Sequence, residues 1–443
     1  MDQAIVSPSH LCYAYRVMRQ EAKRETADAG KKHEKLTLAG LIKITMLGFA
    51  TTAMWGSMHA IILPLRLLEF VSESRKNTYL GIITFSGLIL AMLIQPVAGY
   101  LSDHTTLRWG RRKPYVVVGI TLTSVFLIGI GISHRFTTIF LTYCLLQVAS
   151  NTAQGPYHAY LPELVGESER GRASGVKSLL EILGGVALLY PVAFLMDSYY
   201  LNKDVSLLYL ALLVLGVILL AVMAATAILV REPVFSANPF PGLTNPWRRL
   251  KIGIPKNGVF LRFLLSRLLF FLSFTTIQTF ALYFLRDVAH VASPAAATAR
   301  FSIAAVSGML LAVYPAGKLS DRLGRRPVGA TSGFIGALGI LVVFFFPQQY
   351  ILIMLSGGVI GVAFGAFIST DWALATDLVP AGEEARYLGL ANLATTGGAA
   401  LARFIGPLID LLNGQSTNQG YFAMLLICFG AILAGSWLLL GGK

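Results

Sequence analysis

The amino-acid sequence predicts an all-α membrane protein, with twelve transmembrane helices in two pseudo-symmetric halves of six. Two observations lead to this prediction: apolar segments recur along the whole chain, and a short charged motif occurs twice. Hydrophobic residues make up 55% of the 443 residues and charged residues only 13%, with a mean hydropathy of +0.66. So few charges could not cover the surface of a water-soluble fold of this size. A membrane location is therefore expected.

The apolar segments are each about 20 residues long, the length that an α-helix needs to cross a hydrocarbon core about 30 Å thick. Twelve such spans are predicted. In the N-terminal half they are 39–64, 79–101, 114–133, 136–161, 173–196 and 207–230. In the C-terminal half they are 260–285, 301–319, 328–347, 351–378, 388–411 and 421–440.

The polar stretches between the spans divide the chain into four regions. Residues 1–35 form a predicted cytoplasmic tail, 36–231 the first six-helix half, 232–257 a central cytoplasmic loop, and 258–443 the second half. The tail has no apolar core of the kind found in a signal peptide. Only three cysteines occur, which indicates no disulfide framework.

The charge distribution predicts the orientation. The formal net charge is +14, and most of the 36 Lys and Arg residues fall in loops on one side of the predicted spans. This bias is typical of cytoplasmic loops. It places both termini in the cytoplasm, makes the chain a multi-pass protein of the cell (inner) membrane, and directs the basic excess at the lipid bilayer, not at nucleic acid.

A charged motif marks an internal repeat. The sequence GYLSDHTTLRWGRRKPY, which contains Asp103, returns in shorter form as GKLSDRLGRRP, which contains Asp321. These two aspartates are 218 residues apart, whereas the two Gly-Arg-Arg runs are 214 apart, so the first copy has four extra residues. The offset of 214 then persists, since Glu163 matches Asp377. Two halves that derive from one duplicated unit explain this pattern.

The repeated motif resembles the signature loop of the major facilitator superfamily. This resemblance implies a major facilitator fold, with a substrate site near the midplane between the halves. Each Asp is predicted at a helix C-terminus, where the macrodipole disfavours it, so it needs an arginine partner, and the glycines allow helices to approach closely. We predict a conformational latch on the inner face, formed by Gly99, Asp103, Arg111, Arg112, Gly317, Asp321, Arg325 and Arg326. The alternative is that these charges serve only topology.

A closer resemblance covers residues 49–175. The segments QPVAGYLSD, RWGRRKPY and ASNTAQGP, together with Trp55 and Pro64, resemble the sucrose/proton symporters and related glycoside symporters. The C-terminal half matches only general superfamily features. The resemblance implies a sugar-like substrate. One position departs from that family, because Gln147 stands where the family has an acid implicated in proton coupling, while His158 matches a basic position.

Polar residues at helical spacing predict a binding surface on the fourth span. Tyr143, Gln147, Asn151, Gln154 and His158 share one face of a helix. Such groups are costly against lipid, so this face should contact other helices or a wet cavity. Uncharged donors and acceptors beside an aromatic ring suit a polyhydroxylated ligand. The alternative is hydrogen bonding between helices.

Other polar groups within spans complete the predicted substrate site. Arg267 and Gln278 share one face of the seventh span, which lines the cavity in this superfamily. Trp55 and His59 lie in the first span, where His59 is expected to line the cavity and not to bind a metal. Arg403 in the eleventh span is either a gate or a substrate contact. We expect no metal site and no cofactor.

Two carboxylates within spans are candidates for ion coupling, because ionisable groups within a membrane are rare and usually have a function. Asp371 is the preferred candidate, and its alternative role is an ion pair with Arg267 or Arg403. Glu181 is the second, and its alternative is an i,i+4 ion pair with Lys177.

The predicted function is secondary active transport of a small polar solute, a sugar or glycoside, by alternating access and cation-coupled symport. The expected partners are this solute, H⁺ or Na⁺ and the bilayer, without an obligate protein partner. The sequence contains no Walker loop, G-x-S-x-G, H-E-x-x-H or C-x-x-C motif, so an enzyme is not expected. The alternatives are a proton-coupled exporter of amphipathic compounds and a non-transporting membrane assembly or delivery factor.

Overall fold

The protein is a bundle of twelve long helices in the part of the chain that the computed structural model describes, residues 36–232, 258–380 and 383–441. The first half contains α1 (Leu38–Leu67), α2 (Lys76–Asp103), α3 (Lys113–Ile132), α4 (Phe136–Leu164), α5 (Arg170–Asn202) and α6 (Val205–Leu229). The second half contains α7 (Gly258–Asp287), α8 (Pro294–Leu323), α9 (Arg325–Phe345), α10 (Tyr350–Asp377), α11 (Glu384–Arg403 and Ile405–Asn413) and α12 (Gln419–Leu440). The predicted tail at 1–35 and nearly all of the predicted central loop lie outside the described residues.

The predicted fold class is confirmed, and each predicted span falls on one of these helices. Among the described residues, ten helices are long and apolar enough to cross a membrane. The other two, α4 and α11, carry several amides and hydroxyls and are less apolar. On the outer surface of the bundle, large apolar side chains such as Ile228, Leu311 and Trp437 are more than two-thirds exposed, as a lipid-facing surface requires.

The largest difference in helix bounds is at α8, which begins at Pro294 and not at residue 301. Proline is favourable at the first position of a helix, and the alanines that follow are strong helix formers. Hydropathy alone missed this turn, because Ala295 and its neighbours are small. They are nevertheless buried, since the start of α8 packs against the other half.

Prolines explain the breaks within α5 and α11. The first segment of α5 ends at Ala187, four residues before Pro191, and the first segment of α11 ends at Arg403, four residues before Pro407. A proline ring collides with the carbonyl group four residues earlier and removes one hydrogen bond, so the helix ends there. The two halves therefore break corresponding helices by the same means.

The halves pack together mainly at one end of the bundle, which we call the closed end. It lies where α1 and α7 finish and where α2 and α8 begin, and there α2 packs on α11 and α5 on α8. Ion pairs cross between the halves at this end: Lys76 Nζ lies 2.6 Å from Asp287 Oδ2, and Arg286 Nη2 lies 2.5 Å from Glu73 Oε1.

At the opposite end, which we call the motif end because both charged loops lie there, the halves diverge. A Cβ added at Gly99, Gly171 or Gly389 would meet no atom within 4 Å. The halves are therefore apart at that depth. Within the N-terminal half, a Cβ at Gly155 of α4 would lie 3.2 Å from the backbone N of Gly99, so α2 and α4 approach closely there, and the role of Gly99 stays a prediction. Gly317 differs, since a Cβ there would lie 2.9 Å from Ser369 Oγ of its own half.

Candidate functional site

An aromatic cluster lies at the apex of the space between the halves, on α1 and α4. The ring of His59 stacks on Trp55 with centroids 4.9 Å apart and an angle of 25°. The edge of Tyr143 meets Trp55 at 6.2 Å, and the Tyr143 hydroxyl lies 2.8 Å from His59 Nε2. Three of the predicted substrate-binding residues are thus brought together.

A local distortion of α1 holds His59 in place. Residues Met58–Ile62 form a π-helical turn just before Pro64, which cannot donate a backbone hydrogen bond. Such turns are frequent at functional sites, because they rotate side chains away from regular helical positions. The hydropathy of the first span did not predict this distortion. The signal in the sequence was Pro64, a proline within an apolar span.

The polar face of α4 is a ladder of hydrogen bonds. Gln147 Nε2 donates to the Tyr143 hydroxyl at 2.8 Å, and Asn151 Nδ2 donates to Gln147 Oε1 at 3.0 Å. All three side chains are buried. Because these three side chains hydrogen-bond to one another, this part of the predicted surface is held in place by its own contacts.

The lower part of the same face is more accessible. Gln154 Nε2 donates to Ser150 Oγ at 2.9 Å, and Ser150 also accepts from Trp55 Nε1 at 3.1 Å, which links α4 to α1. Gln154 is half-buried, and His158, nearer the motif end, is exposed beside the ring of Tyr157. The five predicted residues therefore run from the apex down one wall of the cavity.

Arg403 of α11 approaches the aromatic cluster from the other half. Its side chain interacts electrostatically with His59 and Tyr143, and its Nη1 donates to the carbonyl oxygen of Ala399. Its own backbone carbonyl lies so close to α2 that a Cβ at Gly81 would collide with it. Arg403 thus belongs to the apex.

A second predicted pair of residues lies nearer the motif end, within the C-terminal half. Arg267 of α7 forms an ion pair with Asp371 of α10, and both side chains are only 2% exposed. Arg267 Nε also donates to Thr395 Oγ1 of α11 at 2.8 Å, and its guanidinium lies 4.9 Å from the ring centroid of Trp372. Among the described residues, Asp371 Oδ1 is buried without a hydrogen-bond partner.

The remaining predicted site residues lie apart from the apex cluster. Gln278 is exposed in a cleft between α7, α8 and α10, which is lined by Phe274 and Phe364. Glu181 Oε1 lies 3.1 Å from Lys177 Nζ, which is the i,i+4 ion pair foreseen as its alternative role. Both are about one-quarter exposed. No group of three potential metal ligands occurs in the described ranges.

The charged motif of the N-terminal half is a compact network within that half. Arg112 forms ion pairs with Asp103 and with Glu163, and Arg111 Nη2 lies 2.7 Å from Glu163 Oε1. Burial alone would lower the pKa of the Arg112 guanidinium, but the hydrogen bond and charge of Glu163 and the charge of Asp103 outweigh it and raise that pKa. Glu232 Oε1 accepts from the backbone N–H of Lys113 at 2.7 Å and fixes the loop.

The second copy of the motif has the corresponding pair. Arg325 Nη1 lies 2.7 Å from Asp377 Oδ2, and these residues are the repeat equivalents of Arg111 and Glu163. Asp321 is exposed. In this conformation the described motif pairs lie within each half, because the halves are apart at this end. The repeat offset aligns Glu163 with Asp377, but it does not indicate that these two carboxylates are the partners of the arginines.

Comparisons with known proteins agree with this architecture. A family model described as MFS/sugar transport protein matches residues 46–387. The sucrose transport protein SUC3 of Arabidopsis thaliana is 30% identical over 132 residues, which cover 25% of this chain and 22% of that protein. The sucrose transport protein SUT5 of Oryza sativa subsp. indica is 26% identical over 197 residues, or 37% of each chain. The alignments thus span 22% and 37% of the length of these two curated relatives.

Solved structures show the same fold. The nucleoside transporter NupG superposes with a TM-score of 0.69 at 16% identity, covering 91% of this chain and 99% of that one. A D-xylose-proton symporter superposes with a TM-score of 0.67 at 16% identity, covering 91% and 98%. These likenesses concern the fold alone. Because the family model matches most of its length, the chain belongs to the MFS/sugar transport protein family.

Proposed function

We propose that the chain is a secondary active transporter that moves a small polar solute, a sugar or a glycoside, across the cell membrane by alternating access. The observation that carries this proposal is the arrangement of the halves, which are joined at the closed end and apart at the motif end. Polar and aromatic side chains occupy the apex between them. Rocking of the halves about such a site would expose it to each side of the membrane in turn.

The motif end is assigned to the cytoplasm. Both charged loops lie there, and the Lys and Arg bias favours the cytoplasmic side for such loops. Both termini then lie in the cytoplasm of a cell with this protein in its inner membrane, and the described conformation opens inward. Gly99, Asp103, Arg112 and their repeat equivalents would close this end when the outer side opens.

The apex is proposed to hold the solute. Trp55 offers a flat apolar surface for a sugar ring, while His59 and Gln147 offer hydrogen-bonding groups, a combination typical of small-molecule sites. Gln154 and His158 would contact the solute on its path towards the cytoplasm.

Cation coupling is assigned to Asp371. Gln147 cannot exchange a proton, so proton coupling needs another group, and Asp371 is the more deeply buried of the two candidate carboxylates. Its pairing with Arg267 supplies a switch, because a cation bound at the carboxylate would weaken the ion pair that ties α7 to α10. Glu181, already paired with Lys177 and more exposed, would support the fold of α5.

Counterflow of radiolabelled sucrose and other sugars in proteoliposomes tests the transporter function. We expect saturable exchange by the wild type and about tenfold weaker apparent affinity in Trp55→Ala, equivalent to about 1.4 kcal/mol. Trp437→Ala is the matched control, since Trp437 is 71% exposed on the outside of the bundle. Absence of exchange for every solute would favour the assembly or delivery factor. Equal exchange by Trp55→Ala and Trp437→Ala would move the site away from the apex.

A further inference from the structure

Arg300 lies at one end of a face of α8 that points away from the cavity. Leu311 and Tyr314 follow it by 11 and 14 residues, about three and four helical turns, and are 75% and 77% exposed. Val306 and Met309, on the opposite face of the helix, line the cleft that α8 shares with α7. Because large apolar side chains with such exposure belong against hydrocarbon, the face that begins with Arg300 is turned towards lipid.

The depth of Arg300 matches the boundary of the apolar layer at the closed end. It lies six residues, about 9 Å, below the start of α8 at Pro294, and the predicted apolar span begins at the next residue. Tyrosines are enriched at this level of a membrane, and long basic side chains there extend towards the headgroups. Arg300 therefore lies where a lipid headgroup can reach it.

The guanidinium of Arg300 bonds to two tyrosine hydroxyls, one from each half. Its Nη2 donates to the hydroxyl of Tyr190 in α5, and its Nη1 donates to the hydroxyl of Tyr350 in α10, both at 3.2 Å. Among the described residues, no carboxylate forms an ion pair with Arg300. Asp197 acts on it electrostatically, but the two oxygens of Asp197 already accept from backbone N–H groups at the start of α8.

The cluster offers one positive charge and several hydrogen-bond donors. A guanidinium has five N–H groups, of which two bond to the tyrosines, and each hydroxyl that accepts from Arg300 can donate its own O–H. A phosphodiester carries one negative charge and two unesterified oxygens, which suit the planar fork of a guanidinium. A zwitterionic headgroup adds an ammonium group, which gains little here because Asp197 is already bound at the helix start.

We propose that Arg300, Tyr190 and Tyr350 bind the headgroup phosphate of an anionic phospholipid such as phosphatidylglycerol, and that the bound lipid stabilises the closed end. Tyr190 belongs to the N-terminal half, whereas the other two residues belong to the C-terminal half. Opening of the closed end separates α5 from α8 and moves Tyr190 away from the other donors. A ligand favours the conformation that it binds more tightly, so this lipid favours the conformation described here. With the motif end in the cytoplasm, the lipid belongs to the outer leaflet.

Native mass spectrometry of the purified full-length protein tests the site. The probes are palmitoyl-oleoyl phosphatidylglycerol (POPG) and the corresponding phosphatidylcholine (POPC), which differ only in the headgroup. We expect the wild type to bind one POPG about tenfold more tightly than POPC. Arg300→Gln should abolish this preference, and Arg300→Lys should retain part of it. Tyr190→Phe combined with Tyr350→Phe should weaken POPG binding severalfold while keeping the charge. Arg135→Gln is the matched control, because Arg135 is also an exposed arginine at the closed end, next to the start of α4.

Thiol labelling of a single cysteine placed beside the start of α8 tests the effect on the closed end. The protein is reconstituted into nanodiscs of POPC alone or of POPC mixed with POPG. We expect POPG to slow labelling severalfold in the wild type and in Arg135→Gln, because the bound lipid keeps the closed end shut. Arg300→Gln should label at the same rate in both kinds of nanodisc.

The binding and labelling results decide the two parts of the proposal separately. Equal binding of POPG and POPC, a preference that Arg300→Gln retains in full, or one that Arg135→Gln loses equally would overturn the site. Preferential binding through Arg300 without any effect of POPG on labelling would overturn its role in closure. Neither measurement uses a transported solute, so both results hold whether or not the proposed transport function is correct.

Discussion

The carboxylate of Asp197 in α5 accepts a hydrogen bond from the backbone N–H of Ala296 in α8, at 2.7 Å, across the boundary between the halves. It also accepts from the N–H of Ala295 at 2.9 Å. The start of a helix carries unpaired N–H groups and a partial positive charge, both of which a carboxylate satisfies. One half thus caps a long helix of the other.

The same arrangement occurs in reverse on the other side of the closed end. Asp410 in α11 accepts from the backbone N–H of Thr78 at 2.6 Å and from the side-chain amide of Asn77 at 2.8 Å, at the start of α2. Residues 77 and 78 are 218 positions before 295 and 296, the same offset as between the two motif aspartates. Two repeat-related caps therefore hold the closed end together.

Removing either cap charge should favour opening of the closed end. Asp197→Asn and Asp410→Asn keep the shape but lose the charge, and each should shift the conformational equilibrium by about 1 kcal/mol, or about fivefold. The measurement is the rate of thiol labelling of a single cysteine placed beside the start of α8. Asp204→Asn is the matched control, because Asp204 caps Ser206 in an exposed loop of the same end. Labelling rates that match this control in both variants would show that the caps do not hold the closed end.

Neutralising the motif aspartates should weaken closure of the motif end. Asp103→Asn removes one partner of Arg112 but leaves Glu163, so the N-terminal half should still fold and insert. Asp321→Asn should act in the same direction in the second copy. We expect thiols on α4 and α10 to stay more accessible from the cytoplasmic side, with slower transport. If accessibility and transport stay at wild-type levels in both variants, the charges serve topology alone.

The Asp371–Arg267 pair should be required for coupling and not for binding. Asp371→Asn should abolish accumulation driven by a pH gradient while sparing counterflow, because exchange needs no net proton movement. Glu181→Gln should lower the rate without uncoupling. Both are compared in proteoliposomes with and without the gradient.

A second variant controls for folding, because Asp371→Asn leaves the buried Arg267 unpaired, which can cost about 3–5 kcal/mol of stability. Arg267→Gln combined with Asp371→Asn removes both charges, and this double variant should also exchange solute without accumulating it. Full gradient-driven accumulation by either variant would exclude Asp371 as the coupling site.

Glycine at 361 should be needed for the packing of α8 on α10. The sequence has a G-x-x-x-G-x-x-x-G face at 357, 361 and 365 in α10, a pattern that is typical of tight helix packing but can also make room for a ligand. A Cβ at Gly361 would collide with the carbonyl of Ala305, so Gly361→Ala should destabilise the protein by about 1–3 kcal/mol. Gly358→Ala is the control, since its Cβ would lie 3.8 Å from the carbonyl of Ala304. Equal thermal midpoints for the two variants would contradict tight packing at 361.

Much of the site within single helices could be predicted from the sequence, and contacts between helices could not. Helical spacing placed Tyr143, Gln147 and Asn151 on one face, and the structure joins them by hydrogen bonds. Spacing also foresaw the ion pair of Glu181 with Lys177. For Asp371 it left two arginines open, because no periodicity within one helix states which helix faces another, and Arg267 is 104 residues away.

By itself, the sequence determined the fold class, the twelve spans and the duplication, since hydropathy and repeat offsets are properties of the chain order. Only the tertiary structure decided which end is closed, that Asp197 and Asp410 cap helices of the opposite halves, and that Arg300 forms no ion pair among the described residues. The physical reason is that these caps bind backbone N–H groups, which every residue except proline has. Residue types therefore do not show which helix start a carboxylate will cap. Likewise, a missing ion-pair partner is recognised only when all neighbours of a side chain are placed in space.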